Sequence, residues 1–262
     1  ANLKLLPTKA QYTALLETLT TANHACTWLA GQAWDTQTFG QFALHTLAYH
    51  PCRKKFLLAA QMVVRCIAKV ADAYKLDTKT RRRFKRYAAQ PYDDRIFRFC
   101  SDTEVSLWST QGRLTISYQC GERQRALLAY RKGEVDLMYI RGVFYLAVVC
   151  DVLEPEEMGI ERILGVDFGI VNITTDSDGD RYSGAKVKAL RFRHEELRAK
   201  LQNIGTKSAK RLLKKRKRTE SRFARDINHC ISKKLVSKAQ GTGRGIALED
   251  LKGIRERLVV RK

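Results

Sequence analysis

Near residue 90 the apolar residues of this 262-residue chain stop recurring at helical spacing and begin to alternate, a change of period that no single class of secondary structure accommodates. Upstream, ANLKLL at residues 1–6 reads as a short strand. Pro7 and Thr8 then open a helix, with Thr8 as N-cap and Gln11 three residues later completing a capping box. This helix is predicted to run to about Trp34, with a polar break at 35–38 and a second helix over 41–49. A third helix is predicted to start at Pro51 and to carry Leu57, Leu58, Val63, Val64, Ile67 and Val70 at helical spacing.

From Tyr92 the runs RIFRFC, EVSLWS, RLTISYQC, VDLMYI and VFYLAVVCDV are short and rich in β-branched and aromatic residues. Gln111-Gly112 and Arg141-Gly142 fall at hairpin positions, so a compact antiparallel barrel or sheet is expected. Glu154-Pro155-Glu156-Glu157 reads as a boundary. Beyond it ILGVDFG, NITTDSDG and DRYSG form three strands, with Asp178-Gly179 at a turn. Long basic helices follow, broken at Gly205 and resumed from about Ser208 to Ala239, before GTGRG leads into a last strand, GIALEDL. The expected architecture is therefore α+β in three units: helical over about the first 90 residues, an antiparallel β-barrel or sheet over 91–155, and α/β over 156–262.

Charge separates these units. Lys and Arg number 49 against 27 Asp and Glu, a net charge of +22. Residues 186–262 alone hold 25 basic and 7 acidic residues, a net of +18, so a surface for a polyanion is concentrated there. Lys207, Lys210, Arg211, Lys214, Lys215, Arg216, Lys217 and Arg218, followed by Arg222 and Arg225, wrap most of a helical circumference, which exceeds what one solvated face requires. Arg81, Arg82, Arg83, Lys85 and Arg86 form a second cluster. Clusters of this kind gain affinity by releasing counterions from phosphates and read backbone charge, not base sequence. No run of 18 uncharged apolar residues occurs, and the first twenty residues lack the pattern of a secretion signal, so a cytoplasmic protein with nucleic-acid partners and no membrane partner is expected.

Two carboxylates stand out. Asp167 interrupts the apolar run Ile163–Ile170, where a buried charge would cost several kcal/mol unless paired, protonated or bound to metal. Glu249, followed by Asp250, ends the apolar strand that begins at Gly245. Strands delivering both acids to one end of a sheet could hold Mg²⁺ or Mn²⁺, hard ions that favour oxygen ligands, and a metal pair can align an attacking water and stabilise a leaving oxygen in phosphodiester hydrolysis. A hairpin over 163–184, then helices, then a strand over 245–250 suits an RNase H-like sheet. The same G-x-D-x-G strand also opens the phosphate-binding hairpin of the actin and sugar-kinase ATPases, although the helices here are far more basic.

Other motifs are weaker. Seven cysteines are scattered singly without a C-x-x-C pair and read as buried reduced thiols. His24-x-Cys26 and His50-x-Cys52 fall in or near helices, where residues two apart diverge, so core packing is expected rather than zinc. Trp28 and Trp34 read as core residues, and His229 as either a phosphate contact or an exposed helix residue.

GVDFGIVN with its D-S-D-G turn, SRFARDINHCISKKLV and IALEDLKGIR closely resemble the RuvC nuclease core of the transposon-encoded TnpB proteins and of their descendants, the type V CRISPR effectors. LKLLPTKAQYTALLETLTTANHACTWLA resembles the opening strand and helix of that family, so the likeness extends over essentially the whole chain. It implies an RNA-guided, Mg²⁺-dependent DNA endonuclease, with residues 1–8 and 91–155 as a wedge-type barrel, 9–90 as a recognition domain and 156–262 as an RNase H-like (RuvC) domain with inserted basic helices. Its partners would be a guide RNA and a target DNA. Asp167 matches the first catalytic, metal-binding acid of the family and Glu249 the second. Arg81–Arg86 and the helix over 207–225 are backbone-contact candidates chosen by charge. The third catalytic Asp and the zinc ribbon of the family fall after Lys262, which implies that the sequence is a piece of a longer protein and that zinc belongs only to the remainder. Without that Asp, nucleic-acid binding with weak or no cleavage is expected. A binding-only guided repressor or transposition accessory factor, and an unguided junction resolvase, are the other readings.

Overall fold

A computed structural model describes residues 1–154, 156–157, 159–160, 162–216 and 218–251. They fall into two compact units that meet in sequence at Glu154.

The first unit opens with strand β1 (Asn2–Leu5) and helix α1 (Lys9–Asp35). The capping box forms: Thr8 Oγ1 accepts from the Gln11 backbone N–H at 3.3 Å, and Gln11 Oε1 accepts from the Thr8 N–H at 2.9 Å. Leu15, Leu19, Ala22, Cys26, Leu29, Ala30 and Ala33 recur every three or four residues of α1 and are all buried.

Helix α2 (Gln41–Phe56) does not stop before Pro51 but runs through it, and α3 (Ala60–Leu76) starts nine residues later than the proline had suggested. Leu44, Ala48 and Cys52, spaced four apart and buried, hold α2 together across the proline, whose ring lies on the solvent side. The chain turns instead at Leu57, which is 86% exposed in the left-handed region at φ 53°. A leucine there carries a steric cost that glycine avoids. Leu57→Gly is expected to stabilise the fold by about 1 kcal/mol, read as a raised midpoint in urea unfolding; an unchanged or lower midpoint would contradict it.

The strands of this unit are β2 (Gln90–Tyr92), β3 (Phe97–Phe99), β4 (Glu104–Ser109), β5 (Gly112–Gln119), β6 (Arg131–Ile140) and β7 (Val143–Cys150), with a short helix α4 (Glu122–Leu127) before β6. They join β1 in one antiparallel sheet of order β2-β6-β7-β1-β5-β4-β3. Its two outermost strands are consecutive in sequence. The five residue steps from Tyr92 to Phe97 reach about 17 Å at most, whereas seven flat strands span about 29 Å, so the sheet must curl until its edges approach. The Tyr92 hydroxyl, donating to the Trp108 carbonyl at 3.0 Å, ties β2 at one edge to β4 beside the other. At the β6–β7 turn, Arg141 and Gly142 take φ 57° and 86°, the pair of positive values that a two-residue hairpin turn requires.

One core serves helices and sheet alike: Leu3, Leu15, Leu19, Leu107, Leu137, Phe144 and Leu146 are at zero or one per cent exposure and belong to a single cluster. The segments 9–90 and 91–154 therefore share their apolar interior. Trp28, Trp34 and Trp108 pack half-buried against it.

The second unit contains β8 (Arg162–Phe168), β9 (Asn172–Asp176), β10 (Arg181–Ser183), α5 (Ala185–Ile204), α6 (Lys207–Arg216), α7 (Thr219–Gly241) and β11 (Arg244–Leu248). Its sheet has the order β10-β9-β8-β11; the first three strands run antiparallel in sequence, and β11 returns parallel to β8 after the helices. Leu164 and Val166 of β8 face Ile231, Leu235 and Ala239 of α7 in a small core. The β8–β9 turn needs glycine at 169, because a Cβ there would stand 2.8 Å from the Asn172 carbonyl oxygen.

The single helix expected over 208–239 is two helices, with α6 ending at Arg216 and α7 beginning at Thr219; Lys217 lies outside the described residues. Lys214 and Arg218, like charges four apart on either side of the break, would repel each other in a continuous helix. Glu220 favours a fresh start, as an acid in the first turn of α7 that accepts from Arg191 Nε at 3.3 Å and from Arg198 at 3.2 Å on α5. No helix of the described residues is long and apolar enough to cross a membrane.

Candidate functional site

The parallel register of β8 and β11 runs from Arg162–Arg244 to Val166–Leu248. One step further come Asp167 and Glu249, side by side at the carboxyl ends of neighbouring strands, with Cα atoms about 5 Å apart by strand spacing. Side chains alternate along a strand, so while Leu164 and Val166 face α7, Asp167 faces the opposite side of the sheet. On β9 its partner is Thr175, whose own partner on β10 is Arg181. Glu249, Asp167, Thr175 and Arg181 thus form one row across the sheet and line a single open cleft, with Asn172 and Ser177 beside them.

This arrangement corrects the expectation of a buried charge. Asp167 is exposed, and Ile163 on the same side of β8 is 63% exposed. The run 163–170 is apolar on both faces, but only one face is covered, so the carboxylate is solvated and carries no burial cost. Among the described residues neither Asp167, Glu249 nor Arg181 makes a side-chain hydrogen bond or ion pair.

The donor set fits a hard divalent cation in part. Asp167 and Glu249 supply carboxylate oxygens to one place, yet no group of three or more His, Cys, Asp or Glu among the described residues is placed to hold a metal ion. A cation held here would take its remaining ligands from water or from substrate oxygens.

Asp176, Asp178 and Asp180 are not available for that role. Register places Asp176 opposite Val166, on the α7 side, where its side chain is fully buried. Lys238 of α7 reaches Asp176 at 2.6 Å, Asp178 at 3.0 Å and Asp180 at 2.7 Å, and Arg244 at the start of β11 clasps Asp178 through two contacts of 2.9 and 2.7 Å. Burial alone would raise the Asp176 carboxyl, but the Lys238 bond and the backbone N–H groups of Asp180 and Asp178 hold it below its ordinary value. Arg244 and then Lys238 hold Asp178 well below the usual carboxylate range, and the bonds to Asp176 and Asp180 raise Lys238.

The network latches the β9–β10 hairpin to α7 and β11, the strand that delivers Glu249. The sequence marks D-S-D-G only as a turn; the alternation of acids at 176, 178 and 180 is the signal for the network. Lowered carboxyls stabilise the fold above their unfolded values and lose that contribution as pH falls, whereas the raised lysine loses its contribution only as pH rises above its unfolded value. The stability of this unit should therefore be flat between about pH 5 and 10 and fall below about pH 4. Lys238→Met, which leaves a buried carboxylate without its cation, is expected to lower the melting temperature by several degrees at neutral pH and to flatten the acid limb. Thermal melts of both proteins across this range check it, and superimposable profiles would refute the latch.

No protein-family model matches the chain, and no curated protein matches it. Among solved structures, it is similar to one titled a cryo-EM structure of a CRISPR-Cas12f ternary complex. The TM-score is 0.39 at 10% identity, over 92% of this chain; the chain spans 64% of that one.

The basic candidates divide by environment. Arg81–Arg86 lie in an extended loop after α3, not on a helix. Arg82 is committed to the fold, pairing with Asp77 at 3.1 Å and donating to its carbonyl, and Arg81 lies 3.6 Å from Asp35. Arg83, Lys85 and Arg86 are exposed. The loop is pinned beneath them by Asn23 Nδ2, which donates to the Ala88 carbonyl at 2.8 Å, and by the Phe84 N–H, which donates to Thr27 at 3.2 Å. In the second unit, Lys207, Lys210, Arg211, Lys214, Lys215 and Arg218, together with Arg222 and Arg225 on α7, are all exposed, and none forms an ion pair among the described residues.

The expectation of core packing for His24, Cys26, His50 and Cys52 holds for the two cysteines only, since His24 and His50 are exposed on the other sides of their helices. Cys26 and Cys52 are buried, and burial pushes the Cys52 thiol up to about 12, which keeps it protonated. Not every cysteine is internal, however: Cys100, just past β3, and Cys230, on α7, are exposed. His229 is exposed on α7.

Proposed function

We propose that the chain is the nucleic-acid-binding and nuclease-core part of an RNA-guided, Mg²⁺-dependent DNA endonuclease of the TnpB type. The observation that carries the reading is the pair Asp167 and Glu249, delivered by adjacent parallel strands to the uncovered face of a sheet in the same unit as eight exposed, unpaired cations. The sheet order β10-β9-β8-β11, with three antiparallel strands followed by one parallel to the first, supports an RNase H-like assignment of residues 156–262.

In this reading Asp167 and Glu249 hold the cation, which when bound supplies an activated water and stabilises the leaving oxygen. The remaining work belongs to the chain. The latch through Lys238 and Arg244 fixes the hairpin and β11, and with them the relative positions of the two carboxylates. Arg181, unpaired in the same row, offers a guanidinium to a phosphate lying over the cleft. The cations of α6 and α7 hold nucleic acid by its backbone, so that base pairing with a guide, not side-chain readout, selects the target.

A second reading, binding without cleavage, is favoured because no third acid among the described residues is placed with the pair to hold a metal ion; Asp176, which also borders the cleft, is engaged by Lys238.

Purifying the protein together with RNA transcribed from its own genomic surroundings and sequencing what it retains tests the guided reading. One discrete RNA with a variable end is expected. Retention of no RNA, or of random fragments only, would overturn it, and tight binding to branched DNA without RNA would assign a junction resolvase instead.

A further inference from the structure

Helix α2 faces the core through Leu44, Ala48 and Cys52. The opposite side of a surface helix is ordinarily polar. Here it carries Phe42, Thr46, Tyr49, His50 and Arg53, spaced three or four apart so that they share one outward stripe. Phe42 is 88% exposed. His45 stacks on Tyr49, with ring centroids 4.6 Å apart and planes at 21°, and His50 meets Tyr49 edge-on at 5.0 Å. Phe42 and His50 are exposed, whereas His45 and Tyr49 are half-buried and Tyr49 packs against the core, so burial does not account for Phe42 and leaves part of the stacked pair open.

The charge of the helix is one-sided. Its sixteen residues include no acid, and they end in Arg53, Lys54 and Lys55. Arg53 also lines the cleft that α2 leads into, beside Leu57 and the half-buried Trp108, over whose ring the Arg113 guanidinium lies at 5.7 Å. Rings run along α2 from Phe42, and its cations follow at the end that borders this cleft.

We propose that this stripe is a stacking surface for unpaired bases of a single-stranded nucleic acid, with Phe42 and the His45–Tyr49 pair taking base faces and Arg53 and Lys54 taking phosphates. Stacking on aromatic side chains accepts any base, and adjacent cations follow the backbone. A duplex keeps its base faces internal and cannot use the rings. A second copy of the chain fits less well, because it would bring the same acid-free, cationic helix against this one. The inference rests on the nucleic-acid partners proposed above and adds their strandedness and the surface that reads it.

The test is fluorescence anisotropy with a labelled single-stranded oligonucleotide and a duplex of the same sequence, on wild type, Phe42→Ala, Tyr49→Ala and Phe42→Trp. Phe42→Ala and Tyr49→Ala are expected to weaken single-strand binding by about tenfold each, to leave duplex binding unchanged, and Phe42→Trp to retain it. Equal single-strand affinity in all four proteins overturns the stripe while leaving the nucleic-acid reading intact. A wild type that binds neither probe overturns both. Sedimentation that shows a wild-type dimer dissociated by Phe42→Ala assigns the stripe to self-association and also overturns the proposal.

Discussion

Replacing Asp167 by asparagine is expected to lower Mg²⁺-dependent cleavage of a guided DNA target by the full-length protein by at least about 10³-fold while leaving RNA affinity and thermal stability unchanged. The substitution keeps shape and removes one charge. Because Asp167 is exposed and has no hydrogen-bond partner among the described residues, the fold does not depend on that charge. Glu249→Gln should behave alike, and the double variant should be little worse than either, since two groups acting as a unit are not additive. The same pair predicts a readout on binding alone: Mn²⁺, followed by its paramagnetic resonance signal, should bind wild type and lose affinity by about tenfold or more in Asp167→Asn. Undiminished cutting by the asparagine variant would remove the carboxylate pair from the chemistry; unchanged Mn²⁺ affinity with abolished cutting would leave Asp167 a role other than holding a cation.

Much of this site was legible one strand at a time. The acids at 167 and 249 are conspicuous because each interrupts an apolar run, and Thr8 with Gln11 marked the start of α1 to the residue. What a linear pattern cannot supply is the second face of a strand and the partner across it. Asp167 looked buried because its neighbours are apolar, yet α7 covers only the Leu164–Val166 side. Arg181 joins the row only through the pairing of β8 with β9 and of β9 with β10, and Lys238 meets Asp176 across 62 residues. Local signals were also overruled by packing: Pro51 should have ended or opened a helix, but three buried residues at four-residue spacing carried α2 through it. At the other end, charge decided what periodicity did not, since the cationic run that suggested one long helix is where α6 stops and α7 begins.

The basic helices permit a test that does not depend on cleavage. Each cation that neutralises a duplex phosphate adds about 0.9 to the slope of log affinity against log salt, about 0.7 for a single strand. Lys210, Arg211, Lys214 and Lys215 all lie exposed on α6, where alanine is the better helix former, so the fourfold alanine variant should fold as wild type does. If all four meet phosphates, the slope flattens by about 3 to 4 units, which at 0.1 M salt corresponds to an affinity about 10³-fold weaker. The corresponding change at Arg83, Lys85 and Arg86 should be smaller, because only three cations are removed and the loop beneath them is held independently by Asn23 and Thr27. Titrations at several salt concentrations separate contact from general attraction: a cation that merely raises the field shifts affinity at low salt and leaves little of the slope change, whereas a phosphate contact moves both together. An unchanged slope in the α6 variant would make that helix a solvated face and would shift the search for the polyanion surface to α7 and the loop after α3.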